Sequence, residues 1–143
     1  MKITGASGAI PRKDIARMDE HAERFYEAIR KRTSDIEAIA KNTGLSVEDI
    51  HKIKRHVFLN TYELDGDIPQ TFDPNYDMAV SWQRLIDGKD IREMDLIMLR
   101  HELMENKLMT EQNLSYKEAH TIVNEKYNYQ EYCNELDRKE GLN

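Results

Sequence analysis

Two histidines and two glutamates close together in the chain are its clearest candidates for chemistry. His101, Glu102 and Glu105 stand in the stretch HELME, and His120 follows in YKEAH. His101 and Glu105 are four residues apart, so they project from the same face of a helix, one turn from each other. Two imidazoles and a carboxylate suit zinc or another divalent metal such as manganese, with a position left open for water. The spacing therefore predicts a metal site formed by His101, Glu105 and His120.

Glu102 is the candidate general base of this site, with His101 and His120 as further catalytic residues. It projects about 100° around the helix from His101, by analogy with the glutamate of the HExxH metalloproteases. The second histidine of HExxH is missing from HELME, which disfavours a protease. Two other interpretations stay open: a metal-free acid–base site, and a buried His–Glu pair that only satisfies its own hydrogen bonds.

Apolar residues recur at helical spacing through most of the chain and predict an all-α fold. We expect a single compact domain over residues 1–143 with six to seven helices, because a chain of 143 residues suits one core. Glycine and proline separate the helices. The segments outside them are predicted to be a flexible N-terminus at 1–12, a loop at 60–73 and a polar tail at 134–143.

The helix predicted over residues 91–109 is the one that must position the candidate site. It is apolar on more than one side, which indicates a central, buried helix. The short turn TEQNL then reverses the chain. We expect the next helix to return antiparallel, so that His120 approaches His101 and Glu105.

Residues with capping side chains or a left-handed preference mark the helix ends. Helix starts are predicted at a capping box of Ser34 and Glu37, at Ser46 with Asp49, at Asp73 followed by Pro74, and at a capping box of Ser115 and Glu118. Helix ends are predicted at Gly44 and Gly88. Tyr76 and Trp82 are predicted to be core residues.

The two short helices in IEAIAKNTGLSVEDIHKIKRH resemble a helix-turn-helix. Ala40, Gly44 and Ile50 have the spacing of the crossing, turn and anchor positions of that motif. Basic residues that would contact nucleic acid are Arg30, Lys52, Lys54 and Arg55. Glu48 and Asp49 oppose base reading at the start of the second helix, and the same geometry often serves only as scaffold. A metal-free ribonuclease is an alternative, built from His21, Arg24, Arg30 and His56.

Charge and cysteine content narrow the partners and the compartment. The net charge is −6, but the first 60 residues carry +3 and the remaining 83 carry −9, which is compatible with a half that faces nucleic acid. The single cysteine, Cys133, excludes an internal disulfide. The N-terminus lacks the apolar run of a signal peptide, and no stretch suits a membrane span. We expect a cytoplasmic protein without a membrane partner.

Several stretches together resemble a known family: HAERFYEAIRKRTSDIEAIAKNTG, EDIHKIKRHVF, FDPNYDMAVSWQRLIDG, DLIMLRHELMENKLM and YKEAHTIVNEKYNY. They are similar, over residues 15–130, to a C-terminal module of phage minor head (Mu-like head morphogenesis) proteins and of polymorphic toxins of Firmicutes. The resemblance covers Asp77, Trp82, Arg84 and the four site residues, but it assigns no role to any of them. It implies a toxin, frequently a nuclease, delivered by the protein to which it is fused.

The leading hypothesis is therefore a phage- or toxin-associated effector domain that acts on nucleic acid as a nuclease. Its expected partners are nucleic acid and a phage structural or immunity protein. Delivery by a head protein would place it in the phage particle rather than the cytoplasm. The alternatives are a non-catalytic helix-turn-helix DNA-binding protein and a structural or partner-binding prophage module without catalysis.

Overall fold

Seven α-helices make up most of the part of the protein that the structure describes. The structure, a computed structural model, describes residues 12–62 and 70–141. The helices are α1 (Ile15–Lys31), α2 (Asp35–Thr43), α3 (Val47–Lys54), α4 (Tyr76–Asp87), α5 (Glu93–Glu111), α6 (Tyr116–Lys126) and α7 (Tyr129–Lys139). A π-helical turn, Arg55–Leu59, continues α3, and an isolated antiparallel bridge joins Tyr62 and Gln70. The prediction of a single all-α domain is confirmed.

α5 is the central helix, as its apolar pattern predicted. It packs against α3, the π-helical turn, α4, α6 and α7. Its N-terminal half buries apolar side chains, while His101 and Glu105 are buried in its C-terminal half. The helix covers Glu93–Glu111, slightly later than the predicted 91–109. The site residues are therefore held by the helix that has the most neighbours to fix it.

Aromatic side chains from α1, the π-helical turn and α4 form the centre of the core. The ring centroids of Tyr26 and Phe58 lie 4.6 Å apart, and those of Phe58 and Trp82 lie 5.1 Å apart, both pairs edge to face, an arrangement that aromatic rings favour. Trp82 Nε1–H donates to Asp35 at 3.1 Å, and Lys54 Nζ donates to the same carboxylate at 3.0 Å. The prediction that Trp82 belongs to the core is confirmed.

Most of the predicted helix ends are confirmed. α2 and α4 end at Gly44 and Gly88, which have φ values of +80° and +68° that glycine adopts without the penalty of a Cβ atom. Ser46 caps α3 through its side chain. Ser115 and Glu118 form the predicted capping box at the start of α6.

The other two predicted helix starts differ in part from the structure: α2 begins directly after Ser34 as predicted but without the capping box, and α4 begins later than predicted. Ser34 precedes α2, but its side chain makes no capping hydrogen bond; its hydroxyl accepts instead from Arg32 Nε at 3.3 Å. α4 begins two residues later than Asp73 and Pro74 predicted. Asn75 supplies its cap, because the Asn75 side-chain oxygen accepts the backbone N–H three residues further on at 3.0 Å.

The segment predicted as a polar tail, 134–143, is helical as far as Lys139. Cys133 and Leu136 give α7 an apolar side that packs on the core. α7 contacts α5. Burial of this side explains why a stretch rich in charged residues is nonetheless ordered as a helix.

Arg12 fixes the start of the described chain to its other end. Its guanidinium donates to Asp77 at 2.6 Å and to Asp137 at 2.7 Å. The flexible N-terminus predicted at 1–12 lies otherwise outside the described residues, as do residues 63–69 of the predicted loop. Among the helices that are described, none combines the length and the apolar character that crossing a membrane requires.

Candidate functional site

Glu105 on α5 is the centre of a cluster of histidines. Its side chain is only 1 % exposed. One carboxylate oxygen, Oε2, lies 3.0 Å from His101 Nε2 and 2.9 Å from His120 Nδ1. The other, Oε1, lies 2.8 Å from His56 Nε2. The structure thus brings His101, Glu105 and His120 together through the α5–α6 hairpin, and adds a third imidazole from a distant part of the chain.

The protonation of His101 follows from its two partners. Its Nδ1 lies 2.7 Å from the carbonyl oxygen of Tyr127, which only accepts, so Nδ1 carries a proton. Its Nε2 faces the Glu105 carboxylate and donates there as well, which makes His101 an imidazolium ion. Burial opposes this charge, but the hydrogen bond to Glu105 and the negative charge of Glu102 raise the pKa of His101 to about 9.

The two glutamates of the cluster differ in charge state. Burial disfavours the Glu105 carboxylate, yet hydrogen bonds from His101 and His56 lower its pKa to about 2. Within residues 12–62 and 70–141 no side chain donates such a hydrogen bond to Glu102, and its Oε2 is 3.4 Å from His56 Nε2. Burial first, and then repulsion from Glu105, raise the pKa of Glu102 to about 7. Neighbouring carboxylates whose pKa values are pushed apart are typical of acid–base sites.

His56 is the residue that analysis of the sequence did not place in the site. It lies in the π-helical turn, where His56, Val57 and Phe58 are all buried. The i→i+5 hydrogen bonds of a π-helical turn make it wider than a turn of α-helix. The wider turn, closed by Asn60 N–H donating to Arg55 O at 2.7 Å, directs His56 inward. Such π-helical turns occur often at functional sites, but nothing in the sequence marks this one.

Tyr62 completes the surroundings of His56. Its hydroxyl lies 2.6 Å from His56 Nδ1 and accepts from Asn60 Nδ2 at 3.2 Å. The hydroxyl keeps a second lone pair and its own proton, so it can accept from His56 Nδ1 or donate to it. Tyr62 therefore orients His56 much as the Tyr127 carbonyl orients His101.

A cavity of about 390 Å³ opens beside this cluster. Both glutamates, His101 and His120 line it, together with Phe72, Tyr116, Lys117 and Asn124. The His120 side chain is 41 % exposed, so molecules in solvent can reach the cluster along that side. The rings of Phe72 and Tyr116, whose centroids lie 5.0 Å apart, form an aromatic wall of the cavity.

The side chains of the cluster can hold a metal ion in two ways. His101, Glu105 and His120 form one set of three ligands, and His56, Glu102 and Glu105 form another, with the ligand atoms of each set within 4.8 Å of one another. Ligand atoms around tetrahedral zinc are about 3.3 Å apart. The N···O distances of 2.9 and 3.0 Å in the first set would therefore have to widen by a few tenths of an ångström. The half-exposed His120 can widen its own contact by rotation, whereas the contact between His101 and Glu105 must widen within α5.

The basic residues predicted to bind nucleic acid are not gathered on one exposed surface. Lys54 is buried, and its ammonium also donates to the Arg32 carbonyl at 2.6 Å, so its charge is used inside the fold. Arg30 Nε donates to the Phe58 carbonyl at 2.8 Å. Lys52 and Arg55 are exposed. DNA binding by the α2–α3 pair stays a prediction that depends on those two residues.

The alternative ribonuclease set is divided between separate places. His56 belongs to the Glu105 cluster, whereas His21 packs against Phe25 and the half-buried Tyr76. Arg24 forms an ion pair with Glu20 within α1. These groups do not converge on one point.

The other residues that carried the family resemblance have structural partners. Arg84 makes two hydrogen bonds to Asp95, at 2.6 and 2.7 Å, both residues buried. Asp77 receives Arg12, and Trp82 donates to Asp35. No protein-family model, no curated protein and no solved structure matches this chain. The phage and toxin resemblance therefore stays a prediction.

Proposed function

We propose that this protein is a divalent-metal-dependent hydrolase that cleaves phosphodiester bonds in nucleic acid. The observation that carries the proposal is the buried Glu105 carboxylate contacted by three imidazoles beside a cavity open to solvent. A cluster that served only the core would not need the half-exposed His120. Nucleic acid as the substrate class comes from the family resemblance.

Metal binding is supported by how the histidines are held. The Tyr127 carbonyl accepts from His101 Nδ1 at 2.7 Å, so Nε2 is the nitrogen turned toward Glu105. Histidines that bind metals commonly donate their other ring N–H to a carbonyl or carboxylate in this way, which fixes the tautomer and the ring orientation. His101 Nε2, His120 Nδ1 and Glu105 Oε2 would then be the ligands.

The cavity offers features that suit a nucleotide. A bound divalent ion supplies positive charge that polarises a phosphoryl oxygen. Lys117 at the exposed side is placed to pair with a phosphate, and Phe72 and Tyr116 present rings on which a base can stack. As the water oxygen forms its bond to phosphorus, Glu102 would take the proton of that water; the P–O bond to the leaving group would break, and Glu102 would pass the proton to the leaving oxygen.

Elemental mass spectrometry and a cleavage assay test this proposal. We expect wild-type protein, purified without a tag, to retain zinc or manganese, and the folded variant His101→Ala/His120→Ala to lose it. His51→Ala is the matched control, because His51 is exposed on α3. Labelled single- and double-stranded RNA and DNA should be cleaved by the metal-loaded wild type and by the control, and not after chelation. Absence of both metal and cleavage would show that the cluster only forms hydrogen bonds.

A further inference from the structure

We infer that Glu105 bridges two metal ions, one on each carboxylate oxygen. This inference rests on the proposed function, since it assumes that the cluster binds metal at all. It assigns His101 and His120 to one ion and His56 and Glu102 to the other.

The two oxygens of Glu105 have separate partners. Oε2 faces His101 Nε2 and His120 Nδ1, at 3.0 and 2.9 Å, while Oε1 faces His56 Nε2 at 2.8 Å. The two three-ligand sets share Glu105 and no other side chain. A carboxylate whose oxygens point to two different sets of ligands has the arrangement of a bridging ligand.

The second set has its own orienting partner, which indicates a built site rather than a chance neighbour. His56 is fully buried, and its Nδ1 is held by the Tyr62 hydroxyl at 2.6 Å. Its Nε2 is therefore the atom that faces Glu105 and, at 3.4 Å, Glu102. His101 shows the outer-shell contact that is common to metal-ligating histidines. His56 makes the same contact when its proton lies on Nδ1 and is donated to the Tyr62 hydroxyl, which frees Nε2 for an ion.

A single ion shared by all three histidines fits the geometry less well. His56 lies on the Oε1 side of the Glu105 carboxylate, and the other two histidines lie on the Oε2 side. One ion bound to all three nitrogens at the usual metal–nitrogen distance of about 2.0–2.1 Å would have to displace Glu105 from between them. Two ions need only a modest widening of each set.

A two-metal centre would deepen the proposed reaction. Ions about 3.5–4 Å apart can stabilise both the attacking and the leaving oxygen of an in-line displacement at phosphorus. The chain supplies two carboxylates to the pair, Glu102 and Glu105, so the ions keep positive charge for the phosphate. Glu102 would then act as ligand as well as proton acceptor, which ties the second ion to the attacking water.

Metal stoichiometry decides between one ion and two. Chelated, desalted protein is loaded with excess Mn²⁺, passed through a second desalting column and analysed for manganese per chain, with electron paramagnetic resonance of the same samples. We expect two ions per wild-type chain with the spectrum of a coupled pair. Glu102→Gln and His56→Gln should each bind one ion with an isolated Mn²⁺ spectrum, and the control His51→Gln should bind two.

The outcomes separate this inference from the proposed function. One ion per wild-type chain that is kept in Glu102→Gln and lost in His101→Ala/His120→Ala overturns the bridge and leaves the hydrolase proposal standing. One ion whose binding needs His56 as well as His120 also overturns it, in favour of a shared mononuclear site. No ion in the wild type overturns both proposals. Because Glu102→Gln preserves shape, its circular dichroism spectrum should match the wild type, and it decides the matter if His56→Gln does not fold.

Discussion

The proton on His101 should make the stability of the metal-free protein depend on pH in a defined window. The folded state raises the pKa of His101 from 6.5 to about 9. Well below pH 6.5 both folded and unfolded chains hold the proton, and the stabilisation is complete. As the pH rises from 6.5 through 9, only the folded state holds it, so unfolding becomes progressively easier.

The size of this effect follows from the shift. A pKa raised from 6.5 to about 9 corresponds to about 3 kcal/mol of unfolding free energy, lost at about 1.4 kcal/mol per pH unit. No correction for solvent screening is needed, because the His101 side chain is only 4 % exposed. The lowered pKa of Glu105 expresses the same ion pair, so the two contributions are not added. Loss of the Glu105 contribution occurs separately, as the pH falls below 4.5 and through 2.

Urea denaturation with a chelator present, at intervals from pH 5.5 to 9.5, measures the effect. We expect His101→Gln, which can still hydrogen-bond to Glu105 but carries no charge, to be less stable than the wild type by about 3 kcal/mol near pH 6. The difference should shrink toward zero above pH 9. His51→Gln, at an exposed histidine, should follow the wild type throughout. A difference between wild type and His101→Gln that is the same at pH 6 and pH 9 would refute the assignment of an imidazolium to His101.

Three further predictions follow from other features of the fold. Lys54→Met should lower the unfolding free energy by about 3–5 kcal/mol, because it leaves the buried Asp35 carboxylate without its cation. Lys52→Met removes only an exposed ion pair and should lower the unfolding free energy by less than about 1 kcal/mol. Thermal or urea unfolding measures both changes. Gly88→Ala should lower the melting temperature more than Gly44→Ala does. Both positions have positive φ, but only at Gly88 would the added Cβ lie 2.9 Å from a neighbouring side chain, that of Asn42. Equal melting temperatures for the two variants would contradict this. Burial raises the pKa of the Cys133 thiol, so this thiol should react with Ellman's reagent only after denaturant unfolds the chain. Rapid labelling of native protein would show that α7 is not packed as described.

Local rules were sufficient for most of the helices and for four of the five residues of the candidate site. The i, i+4 spacing of His101 and Glu105 and a short turn before α6 were enough to predict that both would meet His120. Glycine ends and serine caps followed from backbone preferences that act within a few residues. These features depend on neighbours in sequence, which a single chain displays.

Tertiary contacts decided the rest. His56 escaped prediction because a π-helical turn changes the period on which burial was judged. Lys54 appeared to be a surface cation because its partner, Asp35, is 19 residues away. Asn75 caps α4 in place of the expected Asp73. Asparagine and aspartate are about equally favoured as helix caps, so propensity alone does not choose between them. In each case the competing interaction becomes visible only once the helices are packed.

The separation of the Glu105 partners along the chain also sets an order of assembly. His101 is 4 residues from Glu105, His120 is 15 and His56 is 49. The first contact closes within one helix, the second after one hairpin, and the third only when α3 docks on α5, which has the largest loop-closure cost. During synthesis His56 leaves the ribosome well before Glu102 and Glu105, so its contact with α5 must wait for that helix. The contact between His56 and Glu105 is thus the last of the three to form. When it forms, the N-terminal and C-terminal halves of the chain are joined in one domain.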